Sequence, residues 1–136
     1  MTSPRGSCLC GAVTYRADAP LRPVVACHCA QCRKTSGHHV AATAVDRDAL
    51  HISGNVTWFA SSDTAERGFC GICGSNLFWD AGGDHVSIFA GTLDRPTDLK
   101  IAGHIYCADK GDYYAISDGA PKAAGNDFAM TDWVQR

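Results

Sequence analysis

Apolar and polar positions exchange every one or two residues along most of this chain, in short runs bounded by Gly, Pro, Asn and Asp. Such runs are the mark of half-buried β-strands; an amphipathic helix would need a sustained 3.6-residue period. Residues 12–16, 24–26, 39–45, 50–52, 56–60, 76–80, 85–90 and 101–107 each predict a strand. Asp18, Pro20 and Pro23 turn the chain after the first run, and Gly82-Gly83-Asp84 turns it into the seventh. Ser53-Gly54-Asn55 carries a strong hairpin signal between 50–52 and 56–60. Fourteen glycines, spread along the chain, oppose long helices. Short helical turns are expected only near 31–36 and at 95–99, where Asp94-Arg95-Pro96 reads as a start. Trp58, Phe59, Phe78 and Trp79 fall in alternating strands and are expected in the core. Past residue 120 the chain is Gly/Ala-rich and polar, with Trp133 as either an anchor or an exposed side chain. The expected class is mainly β.

Length fits one domain spanning 1–136, with no linker and no internal repeat. A net charge of −2 and the lack of a basic stripe argue against a nucleic-acid groove and a polybasic membrane patch. No stretch approaches the roughly 18 consecutive apolar residues of a membrane helix, and the first residues lack the apolar core of a signal peptide. A cytoplasmic protein is expected, and in that compartment thiols stay reduced.

Reduced thiols change the picture because there are eight cysteines. They fall as Cys8-x-Cys10, Cys27-x-Cys29-x-x-Cys32, Cys70-x-x-Cys73 and a lone Cys107. Pairs one or two residues apart suit shared ligation of an ion better than bridges between distant strands. Seven clustered thiols close one four-cysteine site and leave another with three. Structural zinc is normally four-coordinate, whereas catalytic zinc keeps a position for an outside ligand. Spacing leaves three alternatives open. Cys107 could complete the second site, or His28, His38 or His39 could. Cys29-x-x-Cys32 could instead join Cys70-x-x-Cys73, although 37 intervening residues exceed the usual ribbon spacing of about 15–20.

Three segments, Ser7-Cys8-Leu9-Cys10-Gly11-Ala12-Val13, Cys27-His28-Cys29-Ala30-Gln31-Cys32-Arg33 and Arg67-Gly68-Phe69-Cys70-Gly71-Ile72-Cys73-Gly74-Ser75, together resemble the glutathione-dependent formaldehyde-activating enzyme family. Gly91-Thr92-Leu93-Asp94, His104-Ile105-Tyr106 and an acidic, Tyr-rich stretch ending at Gly119-Ala120-Pro121 follow in the family's order. The resemblance covers about residues 5–121, leaving 122–136 as a tail. It implies a β-tent fold of packed, mostly antiparallel sheets. It further implies a structural zinc at Cys8, Cys10, Cys70 and Cys73, and a catalytic zinc at Cys27, Cys29 and Cys32 with an open, sometimes only partly filled site. Cys107 matches no ligand of the family and is expected to be a structural thiol on a strand.

Three thiolates around Zn²⁺ leave a net −1, a poor arrangement for making hydroxide and a good one for receiving a further sulfur. The resemblance implies a carbon–sulfur lyase that joins a thiol, glutathione in the family, to a small carbonyl such as formaldehyde. Arg33 and Lys34 are candidates for glutathione's carboxylates or a solvated basic pair. His28, between two ligands, is expected behind the metal or at the surface. His38 and His39 are expected to line the cleft as proton carriers or to be partly exposed filler. The competing reading is a non-catalytic zinc-binding or protein-interaction module with both sites closed, and the fourth ligand of the second site separates the two.

Overall fold

The computed structural model of the chain describes residues 3–132, so Trp133 lies outside the described residues. In chain order the elements are β1 (Arg5–Ser7), β2 (Thr14–Ala17), β3 (Val24–Cys27), α1 (Ala30–Ser36), β4 (Val40–Asp46), β5 (Leu50–Ser53) and β6 (Val56–Ala60). Then come β7 (Glu66–Cys70), β8 (Asn76–Asp80), β9 (His85–Phe89), β10 (Ile101–Ile105) and α2 (Phe128–Thr131). The architecture is mainly β, consistent with a β-tent. Two compact units are formed, one from residues up to 22 with 43–98, the other from 23–42 with 99 onward.

In the first unit β1, β2 and β5 make a three-stranded antiparallel sheet in that order. The second half of β4 is followed by β9, β8, β7 and β6 in a larger sheet. Phe78, Leu77, Ile88, Val13 and Val45 are fully buried here. Tyr15 meets Phe78 edge-on at 5.3 Å and shares a 2.6 Å hydrogen bond with Thr92. The Arg47 guanidinium grips both Asp80 oxygens at 2.8 and 2.5 Å.

Three expectations are corrected along this part of the chain. Residues 50–60 do not form a hairpin: β5 pairs with β2 and β6 pairs with β7, so the Ser53-Gly54-Asn55 turn moves the chain from one sheet to the other. Gly54 has φ 98°, and a Cβ there would lie 2.1 Å from the Ala12 carbonyl oxygen, so the turn depends on glycine. Trp58 and Phe59 are not core, being 38% and 62% exposed, because β6 ends the strand order and half of its contacts are missing. Phe78 is buried, as is its neighbour Leu77, and Trp79 is half-buried. Residues 95–99 form no helix; Asp98 stands in the left-handed region, φ 57°, and the nearest helical turn is earlier, at Ala90–Thr92.

In the second unit β3 lies between the first half of β4, antiparallel, and β10, parallel, with Cys27 opposite both Val40 and Ile105. Val24, Val25, Ala26, Val40 and Ile105 are buried. Just past residue 120 the described chain is held to β10: the His104 amide donates to Pro121 O at 2.8 Å and the Ala123 amide to His104 O at 2.9 Å. Helix α2 sets Met130 against Gly103, where a Cβ would come within 2.5 Å of its sulfur. The strand expected over 101–107 stops at Ile105 because Tyr106 is left-handed, φ 54°, and Cys107 opens a 3₁₀ turn instead of lying on a strand.

Candidate metal centres

The first unit brings Cys8, Cys10, Cys70 and Cys73 together, with all four sulfurs within 4.8 Å of one another. Cys8 and Cys10 sit 3.6 Å apart, and Cys10 and Cys70 3.8 Å. Tetrahedral sulfur at about 2.3 Å from zinc puts neighbouring sulfurs about 3.8 Å apart, so these donors fit a closed thiolate shell. Local sequence builds the spacing. Each knuckle folds back on a left-handed glycine, Gly11 (φ 81°) and Gly74 (φ 80°), and Gly74 N donates to Cys70 O at 2.8 Å.

Donors aimed at the sulfurs favour thiolates there. The Val13 amide points at Cys8 Sγ from 3.3 Å and holds that thiol below its ordinary value. The Ser75 hydroxyl, 3.2 Å from Cys73 Sγ, is foremost in lowering Cys73 to about 5. Cys10 goes the other way, to about 11: the Ala12 amide lowers it, but burial and the thiols of Cys8, Cys73 and Cys70 outweigh that amide.

The second unit brings together Cys27, Cys29 and Cys32, again within 4.8 Å. Cys27 ends β3, Cys29 is the N-cap of α1 and accepts from the Cys32 amide at 3.4 Å, and Cys32 is buried in the helix's first turn. Cys27 and Cys32 turn toward Cys29 and lower it to about 2, while Cys27 is raised, first by its contacts with Cys29 and Cys32 and then by burial. Unaided, the cluster favours charge on one sulfur at the expense of its neighbour; a dication removes that conflict, so the donor set suits a thiophilic metal. Among the described residues no histidine, carboxylate or further cysteine joins the three. Cys107 is half-buried outside the group, and the knuckle Cys70–Cys73 belongs to the other one.

His28 is 1% exposed, so of the two positions expected for it the surface one is corrected. Both its ring nitrogens are engaged: Nδ1 lies 2.5 Å from the Tyr114 hydroxyl and Nε2 lies 2.9 Å from His104 Nδ1. His104 Nε2 in turn lies 2.8 Å from Asp118 Oδ2. Burial, with the cationic tendencies of His39 and His104 nearby, lowers His28 to about 4, so its imidazole is neutral near pH 7. His39 stacks on His28 at 4.5 Å between ring centroids, and its buried Nδ1 has no hydrogen-bond partner among the described residues. His38 is exposed and meets the Tyr113 hydroxyl at 2.5 Å. Lys110 clamps the loop by donating to the carbonyls of Gly111 and Tyr114, with its ammonium 5.0 Å from the Tyr114 ring centroid.

Arg33 is half-buried with Nε lacking a hydrogen-bond partner, whereas Lys34 is exposed. These two therefore differ, and of the pair only Arg33 has a buried polar atom to satisfy. Tyr114 and Asp118 carry no role in the sequence reading. Their signal was the acidic, Tyr-rich stretch itself, but the partner of Tyr114 is 86 residues away.

The family profile described as "Glutathione-dependent formaldehyde-activating enzyme" matches residues 3–109. An uncharacterized lyase of Schizosaccharomyces pombe is 35% identical over 75 residues, which are 54% of this chain and 55% of the yeast protein. The match thus spans about half the length of that relative. A crystal structure of a Rhodobacter sphaeroides protein superposes with a TM-score of 0.58 at 20% identity, covering 69% of this chain and 91% of that one. At that identity the likeness speaks for the fold alone.

Proposed function

Because this chain belongs to the glutathione-dependent formaldehyde-activating enzyme family, we propose that it is a zinc-dependent, carbon–sulfur lyase-like enzyme that joins a glutathione-like thiol to a small carbonyl such as formaldehyde, or releases it. Cys8, Cys10, Cys70 and Cys73 hold a structural zinc; Cys27, Cys29 and Cys32 hold a catalytic one. Zinc bound by three protein thiolates supplies a place at which an outside thiol loses its proton and stays nucleophilic. The observation that carries the reading is the convergence of three sulfurs that no fourth donor among the described residues joins.

The residues around that cluster have separate tasks. Arg33, next to Cys32 and with its Nε unsatisfied, offers a thiol substrate's carboxylate a charge-assisted hydrogen bond. Lys34 is a solvated cation that adds attraction at longer range. His28 holds the Tyr114 hydroxyl in place through Nδ1, and the His39 ring covers one face of His28 and limits water there. The reduced thiols this chemistry needs suit a cytoplasmic setting, and no helix among the described residues is long and apolar enough to cross a membrane.

The test is metal stoichiometry on anaerobically purified protein, with and without glutathione, alongside ¹³C-formaldehyde exchange into its glutathione adduct followed by NMR. Two zinc equivalents, saturable glutathione binding that requires Cys29 and accelerated exchange are expected. Two tightly held metals with neither thiol binding nor accelerated exchange would instead mark a structural or protein-interaction module.

A further inference from the structure

Ser75 touches every turn that carries the four sulfurs of the first unit. Its carbonyl accepts from the Cys70 amide at 3.0 Å, and its hydroxyl lies 3.2 Å from Cys73 Sγ. The same hydroxyl accepts from the Leu9 amide at 2.9 Å, and Leu9 is the residue between Cys8 and Cys10. One half-buried side chain therefore joins two ligand-bearing loops through a bond that spans 66 residues of chain. Apolar packing does not anchor the first loop at that point, because Leu9 is 89% exposed; its backbone does.

A serine hydroxyl has one hydrogen to give and two lone pairs to receive. The Leu9 amide can only donate, so it occupies a lone pair. A cysteine that ligates zinc has no hydrogen of its own, so Cys73 can only accept. Both constraints are met in one arrangement: Leu9 N–H donates to Ser75 Oγ, and Ser75 Oγ–H donates to Cys73 Sγ. No proton leaves the serine. The first bond polarises the second, and the second has a charged acceptor, which makes it the stronger kind. The clasp is thus complete when the four sulfurs carry their ion.

We propose that Ser75 is a positioning residue of the four-cysteine site, whose hydroxyl fastens one ligand-bearing loop to the other and slows release of the metal. The inference rests on the structural-zinc assignment above. Loss of a metal from four thiolates to a chelator proceeds one sulfur at a time. While Leu9 is pinned to Ser75, a sulfur of Cys8 or Cys10 that has let go stays on a short tether. It returns before a chelator replaces it, the advantage of a high effective concentration. The hydrogen bond to Cys73 also spreads that thiolate's charge, the way partners behind a ligand tune a metal site. Cys27, Cys29 and Cys32 belong to the other unit and share no residue with this clasp, so the two sites should respond differently to its loss.

The test is ¹¹³Cd NMR of protein loaded with cadmium, a thiophilic stand-in for zinc, with each site's resonance assigned through coupling to the β-protons of its cysteines. Decay of each resonance after addition of excess EDTA gives the release rate site by site. Ser75→Ala is expected to move the four-cysteine resonance and to speed its decay about 10-fold, the lower end of what losing a partner behind a ligand costs. The three-cysteine resonance should stay in place, and Ser75→Thr, which keeps the hydroxyl, should restore most of the lifetime. In the unsubstituted protein the Leu9 amide should exchange with deuterium more slowly than an unbonded loop amide, a measurement that needs no variant to fold. A decay rate or a resonance unchanged in Ser75→Ala, or a Leu9 amide exchanging at the unbonded rate, would overturn the clasp. A protein with no resonance coupled to Cys8, Cys10, Cys70 and Cys73 fails the metal assignment instead, and the clasp falls with it.

Discussion

Cys10 and Cys70 set their sulfurs 3.8 Å apart although sixty residues separate them in the chain. A short N-terminal loop is thereby tied to the end of β7 by whatever the four sulfurs hold. Metal binding at such a site is linked to folding, with apparent free energies of about 10–16 kcal/mol in small zinc domains.

Replacing Cys70, which is 1% exposed, by Ala removes a ligand from the proposed structural zinc and leaves three crowded thiols. Loss of that metal and unfolding or aggregation near room temperature are expected. A soluble variant with two metals and an unchanged melting temperature would contradict the assignment.

Cys29→Ala should behave differently. Its sulfur caps α1, a helix of seven residues, so the cost to the fold is about 1 kcal/mol, typical of a lost N-cap. One metal equivalent and all thiol-dependent turnover should go, while far-ultraviolet circular dichroism and most of the melting temperature remain. Retention of both metals would show that the three-cysteine site is wrongly assigned.

Acid should weaken the first unit through Asp80. Arg47 is foremost in holding this carboxyl below the ordinary carboxylate range. A group whose pKa is lower folded than unfolded stabilises above its unfolded value, near 3.9, and loses that contribution as pH falls through the folded value. Because Arg47 is 39% exposed, the contribution is about 1 kcal/mol or less. Denaturant midpoints for Asp80→Asn should therefore fall below the unsubstituted protein's at pH 7 and converge with them as pH falls through the lowered folded value of Asp80. Parallel curves over that range would refute the assignment.

Gly54→Ala is expected to cost about 2–3 kcal/mol, from a strained backbone and a Cβ forced onto the Ala12 carbonyl. The urea midpoint should drop at constant slope, the sign of lost stability without a change in exposed surface. An unmoved midpoint would mean that the sheet-to-sheet turn has freedom the geometry denies it.

Much of this was legible in the sequence, and what was missed shares a cause. The knuckles around Cys8 and Cys70 and the run from Cys27 to Cys32 are local patterns, so spacing announces them. Strand positions followed from alternation, also local, apart from β1 and β7, whose Gly and Arg residues blur the pattern. Partnership is not local. Ser53-Gly54-Asn55 looks the same whether the flanking strands pair with each other or with β2 and β7, and only the latter happens. Nothing in the sequence distinguishes a Trp58 or Phe59 at a sheet's end from one in its middle. His28 to Tyr114 and His28 to His104 span 86 and 76 residues, so the polar line behind the cysteines had no short-range signature.

Strand β6 has one further consequence, for handling. Its five residues, Val-Thr-Trp-Phe-Ala, include no charge and no proline, and among the described residues it ends its sheet's strand order with two exposed aromatic rings on it. Such a border invites end-to-end growth between molecules when the protein is concentrated, and a lysine in place of Phe59 would act as a gatekeeper against it.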